Sequence, residues 1–165
     1  METYQQKVLN TAVGMVQDMT TAEDISQEVF VTVYKTILSF KEQSSISTWI
    51  YRITVNKCLD HLRAQSRQKR GGIFSKLFSI EGSAMEAPDF VHPGVLAENR
   101  EKAAYLFKAI NSLPENQKTA FVLVHIEDLP QKEVAEIMDL SVKAVESLLQ
   151  RGKANLRKYL EDIRI

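Results

Sequence analysis

Apolar positions along this chain recur mostly every three or four residues, the spacing of an α-helix buried on one face. Leu9, Val13 and Val16 mark a first helix over residues 5–17. Thr20-Thr21-Ala22-Glu23 reads as a capping box, with Thr first and Glu three positions later, opening a second helix. In that helix Ile25, Val29, Val33 and Ile37 recur every four residues, and Phe30 and Tyr34 widen the stripe. A polar loop over residues 41–47 precedes a third helix over 48–65, with Trp49, Ile50, Ile53, Leu59 and Leu62 facing inward.

The period then fails. Residues 70–94 carry Gly71, Gly72, Gly82 and Gly94, four of the six glycines, together with Pro88 and Pro93. Ile73, Phe74, Leu77 and Phe78 keep no helical repeat there. A stretch of this length and composition reads as a linker between two domains, joined flexibly, and not as part of one core. Periodicity resumes near Leu96. A helix to about residue 111 is followed by Ser112-Leu113-Pro114-Glu115, a second capping box with Pro in the first turn. The next helix ends near Glu127. Pro130 opens a short helix over 131–138 with Val134, Ala135 and Ile137 inward, its cap either Asp128 or absent. Asp139-Leu140 forms a tight turn, and Ser141 caps a last helix over 142–160. The expected fold is all-α: two small helical domains, residues 1–69 and 96–165, around a linker over 70–95.

The final pair of helices has the form of a helix-turn-helix: a short bracing helix, a turn and a longer basic helix whose first turns would lie in a DNA major groove. Ala135 permits close crossing, Leu140 plugs the turn, and Val145 with Leu148 or Leu149 anchors the second helix. Lys143, Ala144, Glu146, Ser147, Gln150 and Arg151 remain on the outer face. Arg and Lys donate to guanine, Gln pairs with adenine and Glu accepts from cytosine. Lys153, Arg157 and Lys158 follow at phosphate height. An ordinary solvated helical hairpin is the plainer reading of the same pattern.

Composition changes the picture in two places. Of 165 residues, 21 are basic and 21 acidic, so net charge is zero, against the habit of simple DNA binders. The distribution is uneven, however. Residues 18–28 hold four acids and no Lys or Arg; residues 57–70 and 143–158 each hold five bases and one acid. Two surfaces facing phosphate and one facing protein fit this arrangement, as do three solvated helix faces. No apolar run approaches the roughly 18 residues that span a bilayer. The polar residues Glu2, Gln5, Gln6 and Lys7 leave no room for a signal peptide before them, and the single cysteine, Cys58, allows no internal disulfide. A cytoplasmic protein is expected. Cys58 and His61 lie three apart on one helix, but two ligands make a poor zinc site. No phosphate-cradling loop, GxSxG elbow or HExxH is present. No enzyme activity, metal, cofactor or small-molecule substrate is expected.

Two segments then carry a resemblance. Leu113-Pro114-Glu115 with residues 129–156 (LPQKEVAEIMDLSVKAVESLLQRGKANL) resembles region 4 of the sigma-70 family of RNA polymerase sigma factors. Residues 22–34 (AEDISQEVFVTVY) and 47–62 (STWIYRITVNKCLDHL) resemble region 2 of its extracytoplasmic-function group. The matches fall in the family's order with a linker between them, which makes the first domain a region 2 three-helix bundle and the second a region 4 helix-turn-helix. The resemblance implies that Asp24, Gln27, Glu28 and Phe30 dock on the clamp coiled coil of core RNA polymerase, where carboxylates would meet arginines around an apolar contact. It implies that core RNA polymerase is met at the clamp coiled coil and the flap of its large subunits. It implies that Phe40, Trp49, Asn56, Lys57, Arg63 and Arg67 open and read the −10 element: the indole stacking on an unpaired base, Asn reading an edge, the cations holding backbone. It implies that Ser141, Lys143, Ala144, Glu146, Ser147, Gln150, Arg151 and Lys153 meet the −35 element. Promoter DNA and an anti-sigma factor are the further partners implied. Relatives often start the helix-turn-helix with Ser or Thr where Pro130 stands, carry Thr or Arg where Ala144 and Glu146 stand, and have more helix before Tyr4. A stand-alone helix-turn-helix regulator is the alternative, but it leaves the acidic second helix and the Trp49–Asn56 segment without a purpose.

Overall fold

The computed structural model describes residues 2–41, 43–76 and 100–163. Every regular element among them is helical. The first domain holds α1 (Glu2–Val16), α2 (Met19–Thr36, continued by a 3-10 turn Ile37–Ser39) and α3 (Ile46–Lys76); the second holds α4 (Arg100–Asn111), α5 (Glu115–His125), α6 (Gln131–Met138) and α7 (Val142–Ile163). The expected all-α, two-domain architecture is what the chain adopts. Residues 77–99, most of the expected linker, lie outside the described residues, and residues 70–76 continue α3.

Local chemistry sets most helix ends. Gln17 takes φ 54° and Asp18 is extended, which separates α1 from α2. The Asp18 carboxylate accepts from the Thr21 amide at 2.8 Å, so Asp18 caps α2 and the expected Thr20/Glu23 box is not formed. A carboxylate is the stronger acceptor at a positive helix end, and it starts the helix two residues earlier. Ser45 caps α3, its hydroxyl accepting from the Thr48 amide at 3.0 Å. The second expected box is also absent: Pro114 stands at the cap of α5 without a side-chain bond, and the Ser112 hydroxyl donates instead to the Ala109 carbonyl at 2.7 Å. Pro130 likewise caps α6 without a side-chain bond, and Asp128 adopts φ 55°.

Within the first domain α1, α2 and α3 pack mutually, and within the second α7 packs on α4, α5 and α6. The two domains are not separate bodies. α1 lies on α5 and α3 lies on α6, and buried side chains of both domains form one continuous cluster. This corrects the expectation of two cores joined only by a linker: each domain has an apolar face left over, and the faces meet. The same contact alters the reading of α3. Tyr51, Thr54, Val55 and Cys58 are buried along with Ile50, whereas Trp49, Ile53, Leu59 and Leu62 are only half-buried. Tyr34 is 84% exposed and does not belong to the core stripe of α2. Leu140 is 38% exposed and does not plug the helix-turn-helix.

Candidate protein and nucleic-acid interfaces

Asp24, Gln27 and Glu28 stand on the exposed side of α2, together with Val31, Thr32 and Lys35. Lys57 of α3 reaches the same place and pairs with Glu28 at 3.1 Å. Around the helix from these acids, Phe30 turns into an apolar groove between α1 and α2 with Leu9, Val31, Val33, Tyr34 and Ile37. Val31, Tyr34 and Leu38 are large, exposed and apolar, Leu38 at 99%. Sequence reasoning assigned Val31 and Leu38 no role. The available signal was an apolar side chain out of phase with the Ile25–Val29–Val33 stripe. Acidic and amide groups beside exposed apolar surface form a patch suited to a basic, partly apolar protein partner.

Phe40 ends the 3-10 turn and Trp49 sits in the first turn of α3. The structure brings them together with ring centroids 5.0 Å apart and planes tilted by 39°. Both are half-buried. Asn56 lies seven residues beyond Trp49, two helical turns along the same face. Arg52, Asn56, Leu59 and Arg63 continue that face at spacings of three and four, which the sequence reading did not single out for Arg52. Asn56 is exposed in a cleft of about 350 Å³ shared by Arg52 and Leu59 of α3 with Asn116, Ile137 and Asp139 of the second domain. Arg63 pairs with Glu115 at 2.8 Å, and exposed Arg67 lines an adjoining cleft with Asn111 and Lys118. Lys57 points away from this stripe, towards Glu28.

In the second domain Asp139 takes φ 54° and closes α6, with the Leu140 amide donating to the Ala135 carbonyl at 2.9 Å. This left-handed residue turns the chain by the angle that a helix-turn-helix needs. The Ser141 hydroxyl accepts from the Ala144 amide at 3.1 Å and so caps α7, as expected. Val134, Ala135 and Ile137 of α6 and Val145, Leu148 and Leu149 of α7 are buried. Lys143, Glu146, Gln150, Arg151 and Lys153 are exposed on the opposite face; Ala144 and Ser147 are half-buried beneath them. Arg151 is held in place, its Nη2 donating to the Ser147 hydroxyl at 3.2 Å and its Nε to the Ser147 carbonyl at 3.3 Å. A guanidinium fixed in this way presents its remaining donors outward.

Burial accounts for the one cysteine. The Cys58 thiol is buried and pushed up to about 12 by loss of solvent, which leaves it a packing residue. No group of three or more His, Cys, Asp or Glu among the described residues could hold a metal ion. No described helix is long and apolar enough to cross a membrane.

The family model described as Sigma-70 region 2 matches residues 1–68, and that described as Sigma-70, region 4 matches residues 103–156. The chain is 32% identical to the ECF RNA polymerase sigma factor SigW of Bacillus subtilis, over 97% of this chain and 86% of that protein. It is 33% identical to the ECF RNA polymerase sigma-E factor of Escherichia coli strain K12, over 79% of this chain and 69% of that one. In fold it is similar to the sigma factor RpoE of Bartonella quintana, solved with the anti-sigma factor NepR (TM-score 0.70, 20% identity, 96% of this chain and 92% of that one), and to CnrH, solved with the cytosolic domain of CnrY (TM-score 0.64, 22% identity, 94% and 80%). With a region 2 bundle, a region 4 helix-turn-helix and relatives of this identity over nearly its whole length, the chain belongs to the extracytoplasmic-function group of the sigma-70 family of RNA polymerase sigma factors.

Proposed function

We propose that this sigma factor docks on core RNA polymerase through the Asp24, Gln27, Glu28 and Phe30 face of α2. Phe40, Trp49, Asn56, Arg63 and Arg67 then capture and open the −10 element, and the outer face of α7 grips the −35 element. Lys57 holds backbone beside the docking face, its ammonium shared with Glu28. The chain acts by binding, and the polymerase supplies catalysis. An anti-sigma factor is the regulatory partner this reading includes; the family and the partners with which two neighbours of the fold were solved support it.

The observation that carries the reading is the Phe40–Trp49 pair at the head of the cationic stripe of α3. Two half-buried aromatic rings beside Asn56, Arg63 and Arg67 suit unpaired bases, and a duplex-binding regulator has no use for them. The deciding experiment is run-off transcription with purified core polymerase. Promoter-specific transcripts that appear only when the chain is added support the reading. Tight duplex binding by the chain alone, with no complex on core polymerase, refutes it.

A further inference from the structure

Ser147 sits one helical turn before Arg151 on α7 and is half-buried, with Lys143, Gln150 and Arg151 exposed around it. Both of its oxygens are engaged by that arginine. Arg151 Nε donates to the Ser147 carbonyl at 3.3 Å, and Nη2 donates to the Ser147 hydroxyl oxygen at 3.2 Å. The backbone beneath them is anchored. Val145, Leu148 and Leu149 are buried, and the Ser141 hydroxyl caps the helix. Directly after Arg151, Gly152 is buried, and a Cβ there would stand 3.8 Å from Gln117 Cβ and 3.9 Å from Leu113 Cδ1. One turn beyond Arg151, the Asn155 amide donates to Gln117 Oε1 at 2.8 Å. α7 is therefore tied to α5 immediately behind the arginine, and the arginine is tied to α7.

A guanidinium carries five N–H donors in a planar fork. Ser147 takes the Nε hydrogen and one of the two on Nη2. The side-on edge, Nε with Nη2, is thus occupied. The end-on edge, Nη1 with the second Nη2 hydrogen, stays available as a pair. Guanine presents O6 and N7 as paired acceptors in the major groove, and a bidentate arginine matches them. An untethered arginine matches a phosphate equally well, and a phosphate carries no sequence information.

We infer that Ser147 is a positioning residue of the −35 grip and not itself a base contact: it holds Arg151 so that the end-on edge of the guanidinium meets guanine. The inference rests on the assignment of the outer face of α7 to the −35 element. Without the tether Arg151 turns to neighbouring phosphates as readily as to the base, and discrimination falls further than affinity.

The test is selection from a promoter library randomised over the −35 element, transcribed by holoenzyme made from core polymerase and the full-length chain. Ser147→Ala removes the hydroxyl and places a better helix former in α7, so the helix is kept. It is expected to lower the preference at a single −35 position by about fivefold, the low end for one bidentate pair. Arg151→Ala is expected to flatten that same position. With Arg151→Ala already in place, adding Ser147→Ala is expected to change the profile no further. Ser147→Thr keeps a hydroxyl at the same place and is expected to keep the preference. The inference is overturned if Ser147→Ala leaves the profile unchanged, or if Ser147→Thr flattens it as Ala does. It is also overturned if Ser147→Ala flattens a different position from Arg151→Ala or adds to it in the double variant, since Ser147 is then a base contact in its own right. An Arg151→Ala variant that weakens all sequences alike makes Arg151 a phosphate contact; the base-reading assignment then fails, and the inference falls with it.

Discussion

Tyr51 and Glu127 are 76 residues apart in the chain and meet at 3.0 Å, the phenol hydroxyl of α3 donating to a carboxylate just beyond the end of α5. Burial raises the Glu127 carboxyl above its ordinary range, opposed in part by the Tyr51 hydrogen bond and the Lys7 charge. Burial, with Glu127 beside it and Glu133 close by, also pushes the Tyr51 phenol well above its own range. A carboxyl with a raised pKa contributes stability that is fully present below its ordinary value, about 4.3, and is lost as pH rises through the raised value. Mild acidification from neutrality is therefore expected to tighten the contact between the domains. Scattering profiles of the wild type at about pH 7.5 and about pH 5.5 should show a more compact chain at the lower value, and Glu127→Gln should remove the response. A wild type that expands over this interval would contradict the assignment.

Lys118 is buried, and its ammonium donates to the Met15 carbonyl at 3.2 Å and to Asn111 at 2.9 Å. It ties the end of α1 to α4 and α5 at once. Lys118→Met leaves both acceptors unpaired, which costs on the order of 1–3 kcal/mol. Burial depresses the Lys118 amine. Removing that buried charge returns some of the loss, so the lower end of the range is expected. Thermal unfolding of the variant should show a midpoint several degrees below the wild type; an equal or higher midpoint would show that the two hydrogen bonds contribute nothing net.

Asp18 caps α2, and its hydrogen bonds to Thr21 hold the carboxyl below its usual value. Asp18→Ala is expected to cost about 1 kcal/mol at neutral pH. A lowered carboxyl stabilises above its ordinary pKa and loses that effect as pH falls through the lowered value. Denaturant melts of wild type and variant should thus converge on acidification. A gap that persists or widens in acid would mean that the cap acts through something other than its charge.

Trp49 packs against Phe40 and is half-buried. Base–aromatic stacking contributes roughly 1–3 kcal/mol per base, so Trp49→Ala should lower transcription from a duplex promoter by about tenfold or more. Trp49→Phe should recover part of it. A template with a pre-opened −10 bubble should narrow the difference, because melting is then already done. Equal activity of wild type and Trp49→Ala on both templates would remove Trp49 from the site.

Arg151 is oriented by Ser147 on the outer face of α7. If it reads a base, Arg151→Ala should lower transcription by an amount equivalent to about 1–3 kcal/mol and relax preference at one −35 position. Selection from a randomised −35 library measures this directly. A uniform weakening across all sequences would make Arg151 a phosphate contact.

The helices and their order could be read from the residues, because helix formation answers to neighbours within a turn or two. The spacing of Ile25, Val29 and Val33, the Ser141 cap and the Asp139 turn all act over that range, and all appear where they were expected. Local competition was harder to judge. The Thr20/Glu23 box was the expected cap of α2, and the Asp18 carboxylate prevailed over it at the positive end of the helix. Ser112 with Glu115 failed as a cap because the Ser112 hydroxyl found the Ala109 carbonyl first.

The chain by itself determined the two helical modules, the acidic and basic faces, and the residue types able to meet protein and DNA. Only the tertiary structure decided that Phe40 and Trp49 stack, that Lys57 turns to Glu28, and that Arg52, Asn56 and Arg63 look into a second domain. Gln17 reaches the Phe107 carbonyl across 90 residues and Lys118 the Met15 carbonyl across 103. Pattern along the chain encodes which face of a helix is apolar. It carries no record of which distant face will cover it, because that depends on shape and charge fit between surfaces that exist only after each domain has folded.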